Sequence, residues 1–176
     1  MHEAEKNIQT DWLINQLADN KEVFLSLLEK TPPHIFSWKP EPGRWNLLEI
    51  ICHLADEEKH DFKYRIQVAL DPNQFPFLPI DPEAWVTEKS YATQHFTQKL
   101  NEWAKEREQS VEWLRKLVPT DWEAHLVHPE YGQMTARNIL ANWVAHDYIH
   151  LRQIIQLKRA CLQNITGESL AYAGRW

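Results

Sequence analysis

The chain predicts an all-α fold, a four-helix bundle with long irregular connections, on three observations. Apolar residues recur at steps of three and four over long segments, the signature of helices with one buried face. Only four glycines occur in 176 residues, and the ten prolines gather between the periodic segments, where they stop helices rather than interrupt them. With 43% hydrophobic content, no internal repeat and no biased tract, residues 1–176 fit a single domain large enough to bury a core.

The first helix is expected over roughly residues 4–30, with Ile8, Trp12, Leu13, Leu17, Phe24, Leu27 and Leu28 apolar at helical spacing and Pro32-Pro33 as its stop. A loop carrying Pro40, Pro42 and Gly43 follows. Asn46 opens the second helix: its side chain can cap the first turn while Glu49, three residues on, completes a capping-box arrangement. That helix is expected to run to about Leu70. The connection 71–85, DPNQFPFLPIDPEAW, is too long and too apolar for a simple turn and reads as a lid or substrate wall. The third helix is expected from Ser90 to Val118, with a Glu-, Lys- and Arg-rich face turned to solvent. Pro119 to Met134 read as a second irregular connection, and Thr135 caps the fourth helix. The ending, ESLAYAGRW, reads as a loop.

A net charge of −6 with scattered basic residues argues against a nucleic-acid surface, which needs clustered Lys and Arg. No run reaches the length of a membrane span, and the polar, acidic start MHEAEKNIQTDW does not resemble a signal peptide, so a cytoplasmic address and no membrane partner are expected. Cys52 and Cys161 are far apart without CxxC spacing, so they read as reduced core thiols. Nine Trp and nine His are many for this length, and serve either packing or a ligand pocket.

Chemistry concentrates in ILANWVAHDYIHLRQIIQLK. Ile139, Trp143, His146, His150, Ile154, Leu157 and Cys161 follow at steps of three or four, so the two histidines lie one turn apart on the stripe that faces the core. Two imidazoles so placed are either core histidines with hydrogen-bond partners or ligands of one metal ion. His53, in the second helix about two turns after the Asn46 cap, can meet them across the core, where bundles build metal sites. Three neutral imidazoles suit Zn, Ni, Fe or Cu and leave a coordination position open for water or substrate.

The segments PGRWNLLEIICHLADEE, HPEYGQMT and NWVAHDYIHLRQI, in that order and separated by the long connection, resemble the DinB-like superfamily, whose YfiT-like members are grouped as metal-dependent hydrolases. The resemblance extends over most of the chain and includes the YAGRW-like ending. It implies an up-down-down-up bundle, a metal triad of His53, His146 and His150, and a homodimer, for which the aromatic surplus also speaks. Asn46 stands where the family often has Ser, and both cap helices.

Glu57 follows His53 by one turn and is the candidate catalytic residue, as a general base, a ligand-orienting carboxylate or a weak extra ligand; a pairing with a nearby Arg or Lys competes with those roles. His60 either lines the far end of the cavity or is exposed or structurally bonded. His128 either reaches the pocket from its loop or stabilises that loop. His34, His95 and His125 belong to no constellation. Asp147 spells HDxxH, which resembles the zincin HExxH with a shorter acid, but the rest of the zincin framework is missing; a bond to a neighbouring helix or a positive group fits better. Cys52 points about 100° away from His53 and should pack in the core.

A metal on three histidines can acidify water or activate a thiolate. The expected function is a divalent-metal-dependent enzyme acting on a small organic substrate, for which the resemblance implies either a hydrolase or, as in other branches of the family, a thiol S-transferase with a low-molecular-weight thiol cosubstrate; Zn, Ni or Fe are the expected ions. The alternatives are a non-catalytic metal- or ligand-binding stress-response protein, which the resemblance implies because the family takes its name from damage-inducible genes, and a plain bundle with core histidines. Trp45, Phe75, Phe77, Trp85 and Tyr131, in the aromatic loops, suit a ligand with apolar parts.

Overall fold

The computed structural model describes residues 3–117 and 120–174, with side chains from residue 9 onward. Four long helical segments form the bundle: α1 (Glu3–Leu28), α2 (Leu47–His60) continued by α3 (Phe62–Leu70), α5 (Phe96–Lys116) and α6 (Ala136–Thr166). A short helix, α4 (Pro82–Glu88), and a two-stranded antiparallel hairpin, β1 (His125–His128) and β2 (Gly132–Thr135), sit in the connections. Among the described residues no helix is long and apolar enough to cross a membrane.

Side-chain pairs fix the helix directions. Gln16, Asn20 and Leu27 of α1 meet Tyr148, Asp147 and Lys158 of α6, so these two helices run parallel. Asn15 and Phe24 meet Arg115 and Trp103, so α5 runs against α1. Phe36 receives Leu48 N–H at the start of α2 and stacks on Phe96 at the start of α5, while Glu58 near the end of α2 meets Arg107, so α2 and α5 are parallel. Residues 53, 57 and 58 of α2 face residues 150, 146 and 143 of α6 in reverse order. The bundle is therefore up-down-down-up.

The caps form as the sequence predicts. Asn46 Oδ1 accepts from Glu49 N–H at 2.9 Å and Glu49 Oε2 accepts from Asn46 N–H at 2.9 Å, satisfying two helix-end donors reciprocally. Thr135 Oγ1 accepts from Asn138 N–H at 3.1 Å. On α6 the predicted stripe is buried apart from His146, which is half-buried. Gly167, at φ 69°, ends this helix in the left-handed conformation that glycine adopts without a Cβ clash.

Several expectations need correction. The second helix breaks at Asp61, which leaves helical φ/ψ without any Pro or Gly; an acid that competes for local hydrogen bonds is a weak helix former, and its carboxylate accepts from Arg65 Nε at 3.0 Å instead. The connection 71–85 is not wholly irregular, because Asp81 caps α4 and Pro82 occupies its first turn. The third long helix starts at Phe96 rather than Ser90; Ser90 adopts φ 50° and precedes a single 3-10 turn. Val118 and Pro119 lie outside the described residues, as do Arg175 and Trp176 of the ending and the Ile8 side chain. The segment before Thr135 contains the hairpin, whose three-residue loop closes at Gly132 with φ 69°. Trp12 is 56% exposed: the buried stripe of α1 runs through Thr10, Ile14, Leu17, Phe24 and Leu28, and Trp12 sits on the far side. Arg107 is also not on a solvated face, being 1% exposed.

Two apolar clusters fill the interior. One joins Phe24 and Leu28 to Ile50, Ile51, Leu54, Trp103 and Ile154; the other joins Ile14 and Leu17 to Ile66, Leu114, Leu140 and Trp143. His53 is flanked in sequence by members of the first, and His146 lies between members of the second and Ile154.

Candidate metal centre

His53 projects from α2 and His146 and His150 from α6, and one nitrogen from each lies within 4.8 Å of the others, an arrangement that could hold a metal ion. His53 and His150 are buried and His146 is half-buried. The Nε2 atoms of His146 and His150 are 3.0 Å apart. Two nitrogens bound to one tetrahedral ion at about 2.0–2.1 Å would sit roughly 3.3 Å apart, so the spacing fits. His150 Nδ1 lies 2.8 Å from Gln153 Oε1. Because the amide oxygen can only accept, the proton belongs on Nδ1, which leaves the Nε2 lone pair free for a ligand bond.

Glu57 completes the group. Its Oε2 is 2.8 Å from His146 Nε2 and its Oε1 is 3.5 Å from His53 Nε2. Oε2 nevertheless has no properly angled hydrogen bond, and His53 Nδ1 is a buried nitrogen without a partner. Buried polar atoms left this way call for an unseen partner, and for Glu57 Oε2, which lies beside the cluster, an ion held by the three rings would supply it. The competing pairing with Lys or Arg does not form: among the described residues Glu57 pairs with the two histidines.

Burial comes first in depressing the His53 and His150 pKa values, each to about 3, with the neighbouring His146 adding to it in both. Both rings are neutral at physiological pH and hold their lone pairs available. A folded-state value below the unfolded one means that the unfolded chain binds more protons between about pH 6.5 and 3, so stability falls as pH falls through that window. The melting temperature of chelator-treated protein should therefore drop steadily between pH 6.5 and 4; a flat profile would contradict the neutral buried pair.

Around the centre, Trp45 packs its ring 4.7 Å from His53 and Phe62 lies 5.1 Å from His146. A cleft of about 520 Å³ opens beside His146, lined also by Asp61, Arg65, His128, Tyr131 and Asn142. His128 does both things expected of it: Nδ1 accepts from Glu130 and Tyr131 N–H at 3.2 and 3.3 Å, bracing the hairpin turn, and its ring faces the cleft. His60 is exposed, against Trp85 at 5.9 Å, and away from the triad. His34, His95 and His125 are exposed as well. Cys52 is fully buried and its thiol is pushed up to about 12, chiefly by burial, so it stays protonated and inert. Cys161 is buried too.

Directly behind the site lies a charge network visible only in part from sequence. Arg107 donates through Nε to both oxygens of Glu58, at 2.9 and 3.0 Å, and through Nη1 and Nη2 to Asp147 at 2.7 and 2.8 Å. Asn20 donates to Asp147 at 3.0 Å, and Trp143 Nε1 donates to Glu58 at 3.3 Å. Asp147 thus serves neighbouring helices, not the metal-facing side. Glu58 adjoins Glu57, and Asp147 adjoins His146, so one guanidinium ties together the helices that carry the site. Sequence reasoning missed Glu58, Arg107, Gln153, Asp61 and Arg65. Arg107 had a signal: it occupies the core stripe Phe96, Leu100, Trp103, Arg107, Ser110, Leu114. Asp61 and Arg65 had one too, since His53, Glu57, Asp61 and Arg65 recur at intervals of four.

Fold and site define a four-helix-bundle protein with a three-histidine cluster that could hold a metal ion. Residues 16–154 match the model of the DinB superfamily, and the chain belongs to that superfamily. A protein of Oceanobacillus iheyensis bearing the name "Putative metal-dependent hydrolase OB0782" is 28% identical over 116 residues, which span 65% of this chain and 66% of that protein. The solved structure of YfiT from Bacillus subtilis, described as a probable metal-dependent hydrolase with an unusual four-helix bundle topology, superposes with a TM-score of 0.76 at 20% identity, over 96% of this chain and 91% of YfiT. At that identity the superposition establishes the shared fold.

Proposed function

We propose that the protein is a divalent-metal-dependent hydrolase of a small organic substrate, with His53, His146 and His150 as the metal ligands and Glu57 as the general base. The observation that carries this reading is the convergence of three histidines, two of them buried and held neutral, around a point that also faces an unsatisfied carboxylate oxygen. The names of the relatives agree with it. A divalent ion there supplies Lewis acidity for a substrate carbonyl and for water.

The remaining work falls to side chains. Glu57, between His53 and His146, takes a proton from the attacking nucleophile and returns it to the leaving group in this reading, its nearness to both rings being what supports the role. Gln153 holds the His150 ring in the ligating tautomer. Trp45 packs against His53 and Phe62 against His146, and their rings keep part of the water away from those ligands, which strengthens the electrostatics there. The same site could instead activate a low-molecular-weight thiol for transfer to an electrophile, so the test runs both chemistries. Zinc-, nickel- and iron-loaded protein is offered model nitrophenyl esters, and separately a thiol with an electrophile. Ester turnover that disappears on chelation and in Glu57→Gln, at a loss of about 100-fold or more, supports hydrolysis. Thiol consumption without ester turnover would replace hydrolysis by S-transfer. Metal binding without either would leave a non-catalytic metal-binding stress protein.

A further inference from the structure

We propose that Arg65 is the specificity residue of this site and binds a carboxylate on the substrate, in the cleft onto which His146 opens. The inference rests on the metal-centre reading for what happens at His146, but its own evidence is separate.

Arg65 continues the face of His53, Glu57 and Asp61 into α3 and lines the cleft alongside His146. It is 5% exposed, and its Nε donates to Asp61 at 3.0 Å. Its guanidinium carbon lies 4.1 Å from the centre of the Phe77 ring, so the plane is braced by the loop between α3 and α4. Yet Nη1 is buried with no acceptor at all. A cationic donor removed from water and left unpaired is costly, and a fold keeps one where a ligand completes it.

The contrast with Arg107 sharpens the point. The same bundle surrounds that equally buried guanidinium with two carboxylates and a carbonyl, which occupy its donors on both sides. Arg65 has one carboxylate, bound through one nitrogen, and faces a cavity. The one carboxylate on the walls is Asp61, already paired with Arg65 Nε, and the rest are neutral polar side chains such as Tyr131, Asn138 and Asn142 and apolar ones such as Ile139 and Ile149. A planar fork of N–H donors at the end of such a cleft matches a carboxylate, and the apolar wall matches a hydrocarbon or aromatic body. The substrate class is therefore a small carboxylic acid whose reacting group reaches His146 while its carboxylate sits on Arg65.

The test uses an acid and its neutral isostere, 3-phenylpropionate and 3-phenylpropanamide, titrated calorimetrically into zinc-loaded protein and into His146→Ala. The acid should bind about tenfold or more tightly than the amide in both. Arg65→Met should bring the ratio to about one, and Arg65→Lys, which keeps the charge but not the fork, should leave an intermediate ratio. Circular dichroism checks that each variant is folded; if Arg65→Met is not, the Lys variant and the wild-type ratio decide. No preference for the acid in wild type, no measurable binding of the acid, or a preference untouched by the folded Arg65 variants would overturn the proposal. A missing metal or absent esterase activity would overturn the hydrolase reading instead, while leaving the acid preference and its dependence on Arg65 in place.

Discussion

Replacing His146 by alanine is expected to strip the protein of its divalent ion. Wild type should carry about one ion per chain by plasma emission analysis, and the variant less than roughly a tenth of that. The reasoning is geometric. His146 is the member that bridges the group, with Nε2 at 3.0 Å from His150 and 2.8 Å from Glu57, and it is the one that faces the cleft. Without it, His53 and His150 still lie ring against ring at 4.9 Å, but two imidazoles from different helices are too few donors to hold the ion. The fold should survive, because His146 is half-buried and removing it creates no large cavity in either apolar cluster. Wild type should therefore gain stability with added zinc, by about 2.7 kcal/mol at a hundredfold excess over Kd, while the variant's melting temperature stays put. Metal content at the wild-type level in a folded His146→Ala protein would sink the three-histidine site.

The long elements and the triad were legible because both rest on periodicity. A stripe at steps of three and four, an Asn46-x-x-Glu49 cap and a Thr135 cap are local rules, and the structure obeys them. The triad was legible because two histidines occupied core positions on one helix and a third stood on another. What was not legible depends on partners distant in sequence. Asp61 breaks a helix without Pro or Gly, in a setting made by Arg65, which binds its carboxylate, and by Glu57 and His146, which act on it from either sign of charge. The hairpin 125–135 is short, and its apolar alternation covers only Leu126 on the buried side, too little pattern to mark a strand. Trp12 shows the opposite failure: a large apolar residue next to a core position reads as core unless the phase of the stripe is fixed by its neighbours.

Replacing Arg107 by methionine is expected to cost the most stability of any single change near the site, about 3–5 kcal/mol, against a total of about 5–15 kcal/mol for a domain. The loss does not measure the worth of the ion pairs. It comes from Asp147, 0% exposed, and Glu58, 2% exposed, which would be left as buried carboxylates without a cation. Burial already raises the Glu58 pKa, and Arg107 is what opposes the rise. Removing that opposition raises it further, so the folded variant holds protons that the unfolded chain has released. A folded-state pKa above the unfolded one gives stability that is present at low pH and lost as pH rises. The deficit of Arg107→Met relative to wild type should accordingly be largest near pH 8 and shrink toward pH 5, as read from urea midpoints at each pH. A deficit independent of pH would mean lost packing rather than stranded charge. The triple variant Glu58→Met, Arg107→Leu, Asp147→Leu removes all three charges together and should recover most of the stability. It would not recover the metal site in full, since the clamp fixes the rotation of α2 and α6 about their own axes. Glu57 and His146 each sit about 100° round the helix from the residue that Arg107 holds, and the zinc affinity of the triple variant should fall below wild type even where its stability does not.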